Sequence, residues 1–326
     1  MDAEEASTLS LLPVHSAMIL HFWPRSRGTP NRKSTVEIGN TLTRFSLQIS
    51  AFYFFACCHI SLAQEMKYPI DVSVAKDGVI YIADRHLPGV WKVSDGKLAT
   101  VFRASKKFGT PLNATRCVTL DSQGSILVGD SATRDIYRID KDGKPVGLAK
   151  VKGGKGVGIG IPMDIVDDGK GNLYVTDLEL HRVYRVASQG GKPEKFADVP
   201  APRGLTLDSD GNLLVVSSST NQLFRVSSDG KVESIVKKRL MKFPNDVVVG
   251  QDKTIYVSDG YSKAVWTVQA NGQAEKWISG KPFNNPVGLA WRGKNLLVAD
   301  PQAVAVFEVT PDGKISKLEL KTTAAK

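Results

Sequence analysis

Six near copies of one phrase dominate the chain. Residues 243–259 read FPNDVVVGQDKTIYVSD, and close variants begin at Tyr68 (YPIDVSVAKDGVIYIAD) and at Ile161 (IPMDIVDDGKGNLYVTD). Aligned on this phrase, the copies start at Tyr68, Ala114, Ile161, Ala201, Phe243 and Asn285, at intervals of 46, 47, 40, 42 and 42 residues. Such a period constrains a fold more than any local propensity, because each unit must then be one supersecondary element stacked on its neighbours. Within a copy, alternating apolar residues lead to a short polar turn such as KDG or KGN, then to a second run such as VIYIAD or NLYVTD. That is the pattern of an antiparallel hairpin. A third run carries an aromatic in all six copies (Trp91, Tyr137, Tyr184, Phe224, Trp266, Phe307), and in most copies a further turn such as SDGK introduces a fourth short run.

Four strands per unit and six units predict an all-β chain: a six-bladed β-propeller with four antiparallel strands in each blade. One unit cannot cover both faces of its own sheet, so each blade must bury the aromatic column of a neighbour, and closing the ring removes exposed end units. The strands of the first blade lie in order within residues 68–105 and those of the sixth within 285–320. The ring is therefore expected to close by face packing of first on last, without a shared strand.

A content of 42% hydrophobic and 23% charged residues suits a globular chain and excludes disorder throughout. One segment departs from this: Arg44, the apolar run FSLQISAFYFFACCHI, then SLAQ, with Ser61 and Ala63 spaced as at a cleavage site. It reads as a secretory signal at about 42–63, removed after Ala63, which leaves 1–63 outside the fold and 64–326 as the propeller. The run is shorter than the ~20 residues of a spanning helix, so no stable membrane span is expected after processing. The signal begins roughly forty residues in, so the simplest expectation is a true start downstream of Met1, and lipid attachment at Cys57 is the alternative to cleavage at Ala63. A secreted or periplasmic location follows. Cys57 and Cys58 would leave with the signal, and the remaining Cys117 cannot form an internal disulfide. Of 43 Lys and Arg, five precede residue 64, as do four of 33 Asp and Glu, which leaves a positive surplus of nine. It is spread over loops such as KVKGGK and VKKRLMK. That reads as a solvated basic surface, although its sign favours anionic partners.

Strand direction alternates within a blade, so the start of each first strand and the loop after each second strand share one rim. The DG-type turns lie on the other. Two columns fall on the first rim. One is the acid ending the second strand: Asp84, Asp130, Asp177, Asp259 and Asp300, with Ser217 in the fourth copy. A side-chain oxygen there can accept backbone N–H groups of the following loop, a structural role that Ser can share. The other column runs through PID, TRC, PMD, PRG, PND and PVG. It places Asp71, Asp164 and Asp246 at one position, with Gly204 and Gly288 in two other copies, and Ile70, Arg116, Met163, Arg203, Asn245 and Val287 just before it. These side chains are expected at the mouth of the central channel. Three converging carboxylates could hold a hard cation such as Ca²⁺, which takes several oxygen ligands. Alternatively each satisfies backbone amides of a neighbouring blade, and the Asp/Gly alternation favours this second reading through tight backbone packing.

The pattern P-x-[D/G]-φ-x-φ … D-G-x-φ-Y-V-x-D … φ-φ-R-φ, over residues 68–320, resembles the NHL repeat of the six-bladed propeller group that includes regucalcin, gluconolactonases, paraoxonases and streptogramin lyases. The resemblance implies the fold, but one fold hosts many activities. For the regucalcin and gluconolactonase branch it implies a divalent cation held just before the Asp/Gly column, in motifs like E-G-P, P-N-D and N-G-L-A-W. Here only Asn245, in FPND, matches; Val287 stands in VGLAW, and Ile70 and Arg203 fill other copies. Apolar groups and a cation cannot replace oxygen donors, so such a metal site is expected to be dismantled. Streptogramin-lyase-like catalysis implies a rim histidine as general base, for which His86 and His181 are the candidates. The alternating glycines of GGKGVGIGIP precede a strand rather than a helix, and so lack the helix N-terminus that receives phosphate. NAT at Asn113 is a glycosylation sequon only in a eukaryotic secretory route.

The expectation is a secreted, monomeric NHL-type ring whose channel mouth binds a polar or anionic ligand or protein partner without turnover. Asp71, Arg116, Arg134, Asp164, His181, Arg203, Asn245 and Asp246 would form the site. The alternative is a hydrolase or lyase of the lactonase group using a divalent cation on Asp71, Asp164, Asn245 and Asp246. Nucleic-acid binding by the basic surface is a third reading, and export argues against it.

Overall fold

The computed structural model describes residues 65–322 apart from 87–88, 106 and 150–157. The expected signal, with Cys57 and Ala63, lies outside the described residues. Each repeat folds as its alternation dictates, into a sheet of four antiparallel strands laid side by side in chain order. The first strands are Pro69–Val74, Thr115–Leu120, Pro162–Asp167, Pro202–Leu207, Pro244–Val249 and Leu289–Arg292. They pack in a closed cycle, the sixth against the first, and line the axis. This is a six-bladed β-propeller.

Blade-to-blade packing supplies the core. The six recurrent aromatics are all buried, none more than 9% exposed. Tyr137 of the second blade clusters with Ala83 and Val90 of the first, Phe307 of the sixth with Val265 of the fifth, and Trp91 of the first with Leu297, Ala299 and Val306 of the sixth. Burying one such ring contributes about 1.5–3 kcal/mol, repeated at every interface. Cys117, the free cysteine among the described residues, is buried.

Closure departs from expectation in one respect. After the sixth blade the chain returns, and Lys321–Thr322 adds in parallel to the outer strand of the first blade, opposite Lys97 and Leu98. The Lys321 N–H donates to the Gly96 carbonyl at 2.6 Å. Two residues carry no periodicity, so nothing in the sequence marks this strand. A hydrogen bond nets about 0.5–1.5 kcal/mol. The tail is therefore a clasp on a closure that Trp91 packing already makes.

The acid column is structural, and its reach is wider than expected. Asp84 accepts the Lys67, Tyr68 and His86 N–H groups at 2.6, 2.9 and 2.9 Å, and the Trp91 indole at 3.1 Å. Asp259 does the same with Lys242, Phe243, Ser262 and Trp266. Each acid thus ties the incoming loop as well as the outgoing one, and in these two blades the aromatic column too. In the fourth blade the incoming loop presents Pro200, which has no N–H to give. Ser217 Oγ instead donates to the Pro200 carbonyl at 2.5 Å.

Candidate functional site

A register irregularity shapes the channel mouth. In five blades the pairing of first and second strands slips near the start of the first strand, for example between Pro69 and Asp71 and between Pro244 and Val247. Regular alternation sends neighbouring side chains to opposite faces, whereas a bulge re-aims one of them. Ile70 and Asp71, like Asn245 and Asp246, consequently both face the channel; only the acid also borders the space beneath.

The lower residues form a waist. Asp71 accepts its neighbour Val72 N–H at 2.8 Å and, across the blade interface, Val118 N–H at 2.7 Å. Asp164 accepts Ile165 at 2.7 Å and Leu205 at 2.9 Å, and Asp246 accepts Val247 and Leu289, each at 2.7 Å. Acids in blades one, three and five therefore latch blades two, four and six. The alternate blades carry Cys117, Gly204 and Gly288. A Cβ on Gly204 would lie 2.5 Å from the Asp246 Cα, and one on Gly288 2.5 Å from the Asp71 Cα, so backbone proximity requires glycine there. Cys117 fits because Gly129 beside it is bare: a Cβ at that glycine would sit 2.8 Å from its Sγ.

Three carboxyl groups around one axis resist ionising together. Burial holds Asp71 well above the usual carboxylate range, and the charges of Asp246 and Asp164 add to the effect. Asp164 is raised well above it by burial and by Asp246. Burial lifts Asp246 to about 7 against the opposing pull of the Leu289 and Val247 amides and of Arg203. Burial, and then the charges of Asp164 and Asp71, also push the Cys117 thiol well up, which removes it as a nucleophile at neutral pH.

This set does not fit a divalent cation. Each carboxylate bridges two amide donors, Asn245 Oδ1 accepts from Arg203, and Ile70 and Val287 offer no oxygen. Among the described residues no three His, Cys, Asp or Glu side chains form a metal-binding group.

Above the waist lies a cavity of about 260 Å³. The whole column expected at the mouth lines it: Ile70, Arg116, Met163, Arg203, Asn245 and Val287. Arg85, Tyr68, Phe243, Tyr261, Asn285 and Gln302 join them, and sequence reasoning missed these. A signal was available, since they stand where each copy opens or just after the acid column, at positions whose chemistry changes from blade to blade. Arg134 and His181, expected at the site, stand apart from it. Exposed Arg134 pairs with Glu179 at 2.9 Å, and His181 Nδ1 accepts the Ala201 N–H at 2.9 Å, bracing the loop into the fourth blade. His86 stacks on Tyr68 with ring centroids 4.7 Å apart but does not line the cavity.

The mouth is cationic. Arg203 Nη2 donates to Asn245 Oδ1 at 2.8 Å, the guanidinium lies 4.6 Å over the Phe243 ring, and its buried Nε has no hydrogen-bond partner. Arg116 Nε donates to Ser131 Oγ at 3.0 Å. Among the described residues none of Arg85, Arg116 and Arg203 forms an ion pair with a carboxylate. Burial lowers Arg116 to about 10, with the charges of Arg85 and Arg203 adding to it, and burial likewise lowers Arg203 to about 10. Arg116 and Arg203 therefore stay charged at neutral pH, above acids reluctant to ionise. Guanidinium groups so placed can donate charge-assisted hydrogen bonds to a carboxylate, sulfate or phosphate.

Comparison with known proteins supplies a family. Residues 156–326, just over half of the chain, match the model of the virginiamycin B lyase family. The chain belongs to the virginiamycin B lyase family. A virginiamycin B lyase from Staphylococcus aureus is similar in structure, with 18% identity over 79% of this chain and 86% of that one and a TM-score of 0.60. A catalytically inactive variant of that lyase, with one histidine changed to alanine and solved with quinupristin, matches at 19% over 81% and 89%, TM-score 0.61. A gluconolactonase from Xanthomonas campestris matches at 16% over 78% and 88%, TM-score 0.63. At these identities the structural likeness establishes the propeller fold. Within that fold, this member of the virginiamycin B lyase family places at the channel mouth three arginines that form no ion pair among the described residues, and no histidine is among the described residues that line it.

Proposed function

We propose that this virginiamycin B lyase family propeller binds a small anion at its channel mouth and releases it unchanged. The observation that carries the reading is the convergence of Arg85, Arg116 and Arg203 on one cavity with no ion pair to a carboxylate among the described residues. Like charges held together in a partly dry site raise the free energy of the unliganded state, and an anion relieves that repulsion. Two features support binding without turnover. A Staphylococcus aureus lyase variant with one histidine replaced by alanine is catalytically inactive, and here no histidine is among the described residues that line the cavity. The waist acids accept backbone amides across the blade interfaces. An exported location belongs to the same proposal and rests on the signal-like run from Phe45 to Ile60.

Titration calorimetry with sulfate and with acetate tests the binding, alongside incubation with quinupristin followed by mass spectrometry. Binding of either anion that is lost in Arg116→Met/Arg203→Met, with quinupristin recovered intact, is expected. An anion held at 100 times its Kd should add about 2.7 kcal/mol to stability. Ring opening of quinupristin, or anion binding unaltered by the double substitution, would overturn the reading.

A further inference from the structure

Because the blades are copies, a departure confined to one arc of the ring marks a specialised wall. Consider the residue that opens each copy and the residue two places after the acid column. In blades two, three and four these are Ala114 and Ala132, Ile161 and Glu179, Ala201 and Ser219. In blades five and one both are aromatic and stack on each other: Phe243 with Tyr261, at 4.7 Å and 19°, and Tyr68 with His86, at 4.7 Å and 29°. Blade six, between them, carries two carboxamides, Asn285 and Gln302. Two stacked aromatic pairs thus flank an amide pair, and the arginines of blades two and four complete the circuit.

The arc is built rather than incidental. Tyr261 is 64% exposed although it stacks on Phe243, so much of its surface remains open. Gly260, just before it, is bare where a Cβ would collide with the Asn285 carboxamide, so glycine keeps room for that amide. Phe243 carries Arg203 over its ring, which couples the aromatic wall to the cationic one. The apolar side of the cavity comes from Ile70, Met163 and Val287. Its size, about 260 Å³, lies near the lower end of small-molecule sites, roughly 300–1,000 Å³.

Resting on the reading of the mouth as an anion site, we propose that its ligand is a small organic carboxylate bearing one flat unsaturated ring. The carboxylate sits on Arg116 and Arg203, the ring lies between the aromatic pairs of blades five and one, and a polar ring edge meets Asn285 and Gln302. Aromatic faces prefer offset or edge-on contact with another π-system, and an unsaturated ring gains this where a saturated one does not. A sugar acid suits the site less well, since its hydroxyl groups would need partners all round while three blades offer Ile70, Met163 and Val287.

The test is calorimetry on the full chain with four acids matched in charge: acetate, cyclohexanecarboxylate, benzoate and glucuronate. Benzoate should bind roughly three- to tenfold tighter than cyclohexanecarboxylate, the range that aromatic pairing adds beyond buried area. Tyr261→Ala, at an exposed position that does not threaten the fold, should weaken benzoate more than acetate and so narrow that difference. Equal affinity for the two ring acids, or tighter binding of glucuronate, overturns the ligand class while the anion site stands. Failure of all four acids and of sulfate to bind overturns both.

Discussion

Arg203 of the fourth blade donates to the Oδ1 of Asn245 in the fifth at 2.8 Å, and this contact sets where the positive charge of the mouth sits. Asn245 is itself anchored, its Nδ2 donating to the carbonyls of Phe243 at 3.1 Å and Pro286 at 3.4 Å. The amide that most invites a metal in the sequence is thus the holder of a guanidinium. Arg203→Met keeps the volume and removes the charge. Sulfate affinity is expected to fall about tenfold or more, as for a lost charge-assisted bond of about 1.5–3 kcal/mol. Relief of the unsatisfied buried Nε opposes the loss of the bond to Asn245, so the melting temperature should change by only a few degrees. Calorimetry and a melting curve on the same variant read both outcomes, and a large loss of stability would contradict this account.

Stability should decline as pH rises through neutrality. Asp71, Asp164 and Asp246 have folded pKa values raised above the ordinary carboxylate value, to about 7 for Asp246. The native state therefore holds more protons than the unfolded chain between about pH 4 and 7, and unfolding free energy falls with pH in that window. The contribution is complete below the unfolded pKa and lost as pH passes the folded one. A melting temperature several degrees higher at pH 5 than at pH 8 is expected, at about 2–4 °C per kcal/mol for a domain of this size. A flat or rising profile would count against a reluctant waist.

Anion affinity should shift with the same protons. Below pH 7 Asp246 beneath the cavity is increasingly neutral while Arg116 and Arg203, at about 10, remain charged. A bound anion favours the protonated waist, so binding takes up protons and Kd falls as pH falls, by up to about tenfold per unit for each proton taken up. Sulfate titrations at pH 8, 7 and 6 would show the trend. Asp246→Asn should flatten it and also destabilise the ring by about 1–3 kcal/mol, because its Nδ2 would face a backbone N–H. A steep trend retained in that variant would assign the protons elsewhere.

Cys117 and Gly129 should behave as a compensating pair. Gly129→Ala places a Cβ 2.8 Å from the Cys117 Sγ, and such overpacking destabilises by about 1–3 kcal/mol. Cys117→Gly, which restores the residue found at Gly204 and Gly288, should relieve most of that loss in the double variant. The coupling appears directly in a double-mutant cycle of denaturant midpoints. Additive effects would mean that the glycine answers to another constraint, for which Pro162, at 3.3 Å from the same Cβ, is the candidate.

The sequence by itself determined the ring. Period-two alternation decides which residues form strands, and the interval between copies decides how many sheets there are. Six buried aromatics then require each sheet to cover the next. The position of Ile70, Arg116, Met163, Arg203, Asn245 and Val287 at the mouth followed as well, because equivalent residues of equivalent blades must share a rim. The tertiary structure alone decided how these side chains use one another. Hydrogen bonds such as Arg203 to Asn245 or Leu289 to Asp246 join residues 42 and 43 positions apart, on separate blades, where no local propensity applies. The gathering of Arg85 with Arg116 and Arg203, the departure of Arg134 to Glu179, and the parallel clasp of Lys321–Thr322 depend on distances set by ring closure. Periodicity fixes the angular position of a residue around the axis, while charge and hydrogen bonding depend on the last few ångströms of its approach to another blade.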